Sequence, residues 1–184
     1  MLLVVDNGSV YTKNLTDFLS KLGISFQNIT YDKIDTSTLS QFSSFILSGR
    51  RSNNKEMNQL NSQIVKTAIS EKKPLLGICY GAEIMGLTLG GTLRKTNSLQ
   101  KGEQKIQIFH NNPLCIDEIQ VFESHHFELS KLPSTIKTLA KSQNCDHELI
   151  QFQESNIFGT QFHPEMTKDG QELIKQFCNL SQIS

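Results

Sequence analysis

Short apolar runs alternate with amphipathic segments from Leu2 to Gly91, and few architectures accommodate that order. Leu2-Leu3-Val4-Val5 is an unbroken apolar run, as in a strand covered on both faces. Tyr11, Leu15, Phe18, Leu19 and Leu22 then recur at helical spacing, with Gly23 as the stop. Ile24, Phe26 and Asn28-Ile29 read as a second strand and Phe45-Ile46-Leu47 as a third, followed by a polar loop from Ser48 to Asn54. Met57, Leu60, Ile64 and Ala68 mark one helical face that ends at Lys72-Lys73-Pro74. Leu75-Leu76-Gly77-Ile78-Cys79 reads as a fourth strand, and a helix carrying Met85 and Leu89 closes at Gly90-Gly91.

Strands separated by single helices imply an α/β fold with an open, mostly parallel, flavodoxin-like sheet and flanking helices. Beyond Thr92 the pattern changes to short alternating pieces: Lys105 to Phe109, Ile119 to Phe122, Ile136 to Ala140, Leu149 to Phe152 and Ile157 to Phe162. These predict antiparallel strands added in the C-terminal half. Leu173, Ile174, Phe177 and Leu180 predict a final amphipathic helix. With no repeat and no Pro- or Gly-rich linker, the 184 residues read as one domain, 1–184.

Charge and cysteine usage exclude several classes. Eighteen Lys and Arg balance eighteen Asp and Glu, so the chain lacks the basic surplus of a general nucleic-acid binder or an anionic-membrane binder. No apolar run approaches the ~18–20 residues of a spanning helix. The N-terminal apolar stretch is too short for a signal-peptide core, so a cytoplasmic location is expected. Cys79, Cys115, Cys145 and Cys178 stand far apart without C-x-x-C spacing, which argues against a disulfide framework or a metal site.

Two strand ends carry chemistry. In Gly77-Ile78-Cys79-Tyr80-Gly81-Ala82-Glu83, glycines two residues either side of a cysteine suit a sharp strand-to-helix bend. The sulfur is then expected at the carboxyl end of a parallel strand, facing a helix N-terminus that favours thiolate. Taken alone, the pattern also fits a buried structural cysteine. Phe158-Gly159-Thr160-Gln161-Phe162-His163-Pro164-Glu165 ends another apolar run with a histidine and a carboxylate two residues apart. In extended chain the two point the same way, so Glu165 can hold the His163 ring. Cysteine, histidine and carboxylate make a nucleophile, a base and an orienting group for acyl transfer.

GICYGAE followed by QFHPE resembles the triad (class I) glutamine amidotransferases over nearly the whole chain. Within that family the likeness is to the glutaminase part of GMP synthase, of the archaeal separate-subunit type. Val4-Val5-Asp6-Asn7-Gly8, Leu47-Ser48-Gly49 and Ser124-His125 fall where that part has its motifs. The resemblance implies Cys79, His163 and Glu165 as catalytic residues acting on L-glutamine. It implies an oxyanion hole from Tyr80 and the Gly49-Arg50 loop, and substrate contacts from Glu83, His126 and Phe127. The ammonia would pass to a separate ATP-pyrophosphatase-type synthetase subunit that aminates XMP, since this chain has neither G-x-x-x-x-G-K-[ST] nor S-G-G-x-D-S. No cofactor is expected here, ATP and Mg belonging to that partner.

Three positions depart from the family pattern. Arg50-Arg51 follows Ser48-Gly49 where relatives carry Gly-Gly-Pro, so strain at Arg50 is expected if positive φ is needed there. Glu83 stands where glutamine is usual, and Phe127 where Ser-His-x-Asp ends in aspartate. Two other readings therefore stay open: a paralogous amidotransferase subunit serving another acceptor, and a non-catalytic regulatory module.

Overall fold

The computed structural model describes residues 1–182, with side chains to residue 180. Nine strands form one sheet: β1 (Leu2–Asn7), β2 (Phe26–Thr30), β3 (Ser44–Arg50), β4 (Leu75–Ile78), β5 (Thr92–Ile108), β6 (Glu118–Lys131), β7 (Ile136–Lys141), β8 (Leu149–Phe152) and β9 (Ile157–Thr160). Among the described residues four α-helices accompany them: α1 (Thr12–Lys21), α2 (Lys55–Ser70), α3 (Tyr80–Thr88) and α4 (Lys168–Gln182). The sheet order is β2-β1-β3-β4-β9-β8-β7-β5-β6. From β2 to β9 every neighbour is parallel, and from β9 to β6 every neighbour is antiparallel. The parallel sheet with added antiparallel strands is thus the observed architecture.

Alternation along each parallel strand divides the apolar residues between two cores. Leu2, Val4, Ile46 and Leu76 face one core with Leu15 and Leu19 of α1 and Leu173, Ile174 and Phe177 of α4. Leu3, Val5, Phe45, Leu47 and Leu75 face the other, with Met57, Ile64 and Ala68 of α2 and Met85 of α3. The expected helix stops are capped as glycine allows. Gly23 sits at φ +69 while Ile24 N–H returns to the Leu19 carbonyl, and Gly90 at φ +98 while Gly91 N–H returns to Gly86.

One expectation fails in the antiparallel half. β5 runs seventeen residues from Thr92 and β6 fourteen to Lys131, far beyond the apolar pieces at 105–109 and 119–122. The outer part of β5 is exposed to half-buried and polar, while that of β6 buries Glu123, His125 and Glu128, so polar side chains stand where hydrophobic alternation would announce a strand. The pairing is interrupted by an irregularity between Lys95 and Gln100. This hairpin matters because its β6 arm carries residues 123–128 past the end of β4.

Candidate active site

The bend after β4 is sharp. Cys79 has φ 51 and ψ −104, outside the regions open to ordinary residues. A Cβ on Gly77 would meet the Gly81 carbonyl carbon and oxygen at 2.5 Å, and one on Gly81 would meet the Leu47 carbonyl oxygen. Both glycines are therefore required for space, since strand and helix touch through backbone. Cys79 N–H donates to the Thr160 carbonyl at 2.7 Å, tying the bend to the carboxyl end of β9.

Three residues beyond that carboxyl end lies His163. Its Nδ1 is 2.9 Å from Glu165 Oε1, and both side chains are buried. Because a carboxylate only accepts, Nδ1 carries the proton and Nε2 is left as the exchanging nitrogen. The ring is walled in on further sides. Tyr11 meets it edge-on with centroids 4.5 Å apart, and a Cβ at Gly49 would come within 2.9 Å of its Cε1. His163 N–H donates to the Phe122 carbonyl at 2.8 Å, so β6 fixes the backbone as well.

Gly49 and Arg50 end β3. The preceding Ser48 hydroxyl accepts from Asn7 N–H and donates to the Gly49 carbonyl, both at 2.9 Å. Asn7 Nδ2 donates to the Ser48 carbonyl and to Asn61 Oδ1, while Asn61 returns a bond to Asn7 Oδ1 at 2.8 Å. Sequence reading found Asn7 and Ser48 as motif residues but missed Asn61, which occupies a helical position among apolar neighbours on the buried face of α2. Its signal was that one polar interruption.

Arg50 is not strained. Among the described residues the non-glycine positive φ angles fall at Lys72, Cys79, Asp117 and Gln153, so the expected distortion at Arg50 is corrected. Its guanidinium lies 4.4 Å from the centre of the Tyr80 ring, donates to Asn53 Oδ1 at 2.7 Å and stands 3.6 Å from Glu83 Oε2. Two of the departing positions thus contact each other. Glu83 is 4% exposed, so it is not a solvated first-turn helix residue.

A cleft of about 350 Å³ is lined by Arg50, Cys79, Tyr80, Glu83, His126 and Phe127, together with Leu99 and His125 among others. It gathers six of the nine residues singled out in the sequence. Gly49, His163 and Glu165 are buried beside it. On β6 the carbonyls of His126 and Phe127 are already engaged, the first by Thr96 Oγ1 at 3.0 Å and the second by His125 Nδ1 at 2.9 Å. The Phe127 side chain is exposed.

Electrostatics overturn one expectation. Burial, then the charges of Glu83, Glu123 and Glu165, push the Cys79 thiol well above its ordinary value, and only the Tyr80 N–H facing it works the other way. These effects oppose the thiolate that the helix N-terminus favours. Burial also raises Glu83, against Arg50, Gln161, His125 and His163, which favour its ionised form. Burial opposes the charged form of His125, yet the Glu123 carboxylate at 3.0 Å and the Phe127 carbonyl outweigh it and raise that ring. Glu123 belongs to a buried acidic group that sequence reading missed: Gln104 Nε2 donates to Glu123 Oε1 at 3.0 Å and to Glu148 Oε1 at 3.1 Å, while Arg94 pairs with Glu128 at 2.6 Å. Glu123 and Glu128 lie on β6 and Glu148 just before β8, in stretches where no motif singled them out. His147 Nδ1 contacts Thr138 Oγ1 at 2.7 Å.

The family described as Glutamine amidotransferase class-I matches residues 3–180. A protein from Thermoplasma acidophilum, named as a glutamine-hydrolyzing GMP synthase subunit, is 31% identical over 183 residues, covering 96% of this chain and 90% of its own. One of the same name from Methanocaldococcus jannaschii is 28% identical over 187 residues, covering 98% and 97%. A crystal structure from Thermoplasma acidophilum, described as that of a candidate GMP synthase subunit, shares the fold with a TM-score of 0.88 at 29% identity, over 99% of this chain and 94% of that one. Among the described residues no helix is long and apolar enough to cross a membrane.

Proposed function

This chain belongs to the class-I glutamine amidotransferases, an enzyme family, and from that premise we propose that it is the glutamine-hydrolysing subunit of a two-chain GMP synthase acting in the cytoplasm. Ammonia released from L-glutamine passes to a separate synthetase subunit, which holds ATP and Mg²⁺ and aminates XMP.

The observation that carries the reading is the meeting of two strand ends. The strained Cys79 bend is bonded directly to β9, and β9 leads into the buried His163–Glu165 pair. In the first half-reaction the Cys79 thiol gives its proton to His163 Nε2 as sulfur attacks the side-chain amide carbon of glutamine. Glu165 holds Nδ1–H and supports the imidazolium. His163 then returns that proton to the departing nitrogen, and ammonia leaves behind a γ-glutamyl thioester. Water, deprotonated by His163, attacks the thioester, and glutamate departs as the sulfur recovers its proton. Tyr80 N–H and the Gly49-Arg50 backbone are the donors assigned to the oxyanion. Losing one such donor costs about 3–4 kcal/mol in the transition state.

Glutamate release from L-glutamine, measured with the synthetase partner, XMP and ATP present, tests the assignment. Cys79→Ala should reduce it to background. Turnover that survives this change would refute Cys79 as nucleophile. Co-purification of a synthetase that uses an acceptor other than XMP would favour a paralogue, a possibility raised by Phe127 and by the Arg50–Glu83 contact.

A further inference from the structure

The Arg50–Glu83 contact does more than line the cleft. Glu83 lies in the first turn of α3, where its own N–H donates to the Cys79 carbonyl at 2.9 Å, which sets its backbone one turn from the nucleophile. It is almost wholly buried and shares the cleft wall with Cys79. Its cationic neighbour, at 3.6 Å, is too far for a hydrogen bond, and the same guanidinium is held by Asn53 and the Tyr80 ring. Arg50 therefore offsets the Glu83 charge only in part, with Gln161 and the His125 and His163 rings also favouring the carboxylate.

We propose that the Arg50–Glu83 pair is a charge gate on the nucleophile: the buried Glu83 carboxylate, in the cleft it shares with Cys79, holds the sulfur unreactive until the α-ammonium of an incoming amino-acid amide takes that carboxylate from Arg50. This rests on the glutaminase reading for the identity of the amino acid, though not for the gate itself. When the gate opens, the thiol proton passes to His163 Nε2, so charge is conserved within the site. Other groups face the sulfur too. Glu123 and His125 approach from β6, and Glu165 with His163 from the segment after β9. Glu123 is paired with His125 at 3.0 Å and Glu165 with His163 at 2.9 Å. Glu83 sits one helical turn from Cys79 in the same cleft and its ion-pair contact, at 3.6 Å, is the longest of the three, which makes it the charge a ligand cation can neutralise. Substrate saturation and nucleophile ionisation are then one event, and free enzyme is protected from adventitious alkylation or oxidation.

Iodoacetamide, an uncharged probe, reads the gate directly. Its rate of addition to Cys79, followed by mass spectrometry of the Cys79 peptide as a function of pH, is compared in the full-length wild type, Glu83→Gln and Arg50→Met. Glu83→Gln should react about tenfold faster near neutral pH, with its midpoint moved downward. Arg50→Met, which strips the carboxylate of its offset, should react severalfold more slowly. An unchanged midpoint in Glu83→Gln, or a shift in the same direction for both variants, overturns the proposal. Should Glu83→Gln lose its near-ultraviolet dichroism, the Arg50→Met result alone decides, since Arg50 lies at the cleft rim. Glutamine turnover tests the ammonium half: Glu83→Gln should raise KM about tenfold with a much smaller change in kcat, and an unaltered KM overturns that half. If the wild type with its partner turns over no glutamine while both alkylation shifts appear, the glutaminase reading falls and the gate stands.

Discussion

Position 49 shows how little space a single residue has here. Gly49 does not adopt a left-handed φ, so its need for glycine is purely spatial: a Cβ would stand 2.9 Å from His163 Cε1 and 3.3 Å from Ser9 Oγ. The His163 ring cannot retreat, because Tyr11 lies against it and Glu165 holds Nδ1. Gly49→Ala should displace the ring or the β3 terminus by several tenths of an ångström. Overpacking of this kind costs about 1–3 kcal/mol, and misplacing a base by up to ~1 Å costs about 100-fold in rate. Glutamine hydrolysis should therefore fall roughly 100-fold while urea unfolding shows only a modest loss. A Gly49→Ala protein with wild-type turnover would remove this packing from any account of catalysis. Residue types at the two strand ends were readable because acyl transfer needs those particular groups. Asn61, Glu123 and Glu148 were not, since each acts through partners more than forty positions away or on another strand.

At the scale of elements, the β4–α3 junction depends on backbone touching backbone. The positions a Cβ on Gly77 would meet, Gly81 carbonyl carbon and oxygen at 2.5 Å and Ala82 nitrogen at 2.7 Å, belong to the helix itself and cannot swing aside. Gly77→Ala must push α3 away from β4, which would relax φ at Cys79 and carry the sulfur off the end of the strand. We expect a loss of at least ~2 kcal/mol in chemical denaturation and failure of Cys79 to be labelled by a glutamine-mimicking chloroketone. Labelling at the wild-type rate would mean that the bend does not depend on this contact. The parallel half of the sheet was legible because β1, β3 and β4 are buried almost throughout and α1 and α2 bury one face each, leaving apolar runs and 3.6-residue spacing in the sequence. The β5–β6 hairpin was not, because the outer β5 arm is exposed to half-buried and the positions β6 buries there include Glu123, His125 and Glu128, which leave no apolar pattern. The same polar stretch delivers His125, His126 and Phe127 to the cleft, so it is where family resemblance did most and periodicity least.

For the molecule as a whole, equal numbers of acidic and basic side chains give no net charge near neutrality, and its overall charge supplies little pH dependence of stability there. Buried groups must supply it. Glu148 is fully buried between β8 and the β5–β6 hairpin, accepting from Gln104 beside Glu123. Burial and then the Glu123 charge hold its carboxyl well above 4.5. The sign follows by linkage: folded Glu148 binds its proton more tightly than unfolded Glu148 does. The protonated form therefore contributes fully to stability below about pH 4.5, and that contribution drains away as pH climbs toward the raised folded value. Glu148→Gln keeps the shape, supplies a permanent amide and removes the titration. It should match or slightly trail the wild type in mildly acidic buffer and exceed it in neutral and alkaline buffer, the gap widening with pH until the folded-state value is passed. Urea midpoints across that range decide the matter. Parallel curves for the two proteins would show that Glu148 titrates as a solvated carboxylate, and that the buried acidic group spanning the antiparallel half takes no part in setting global stability.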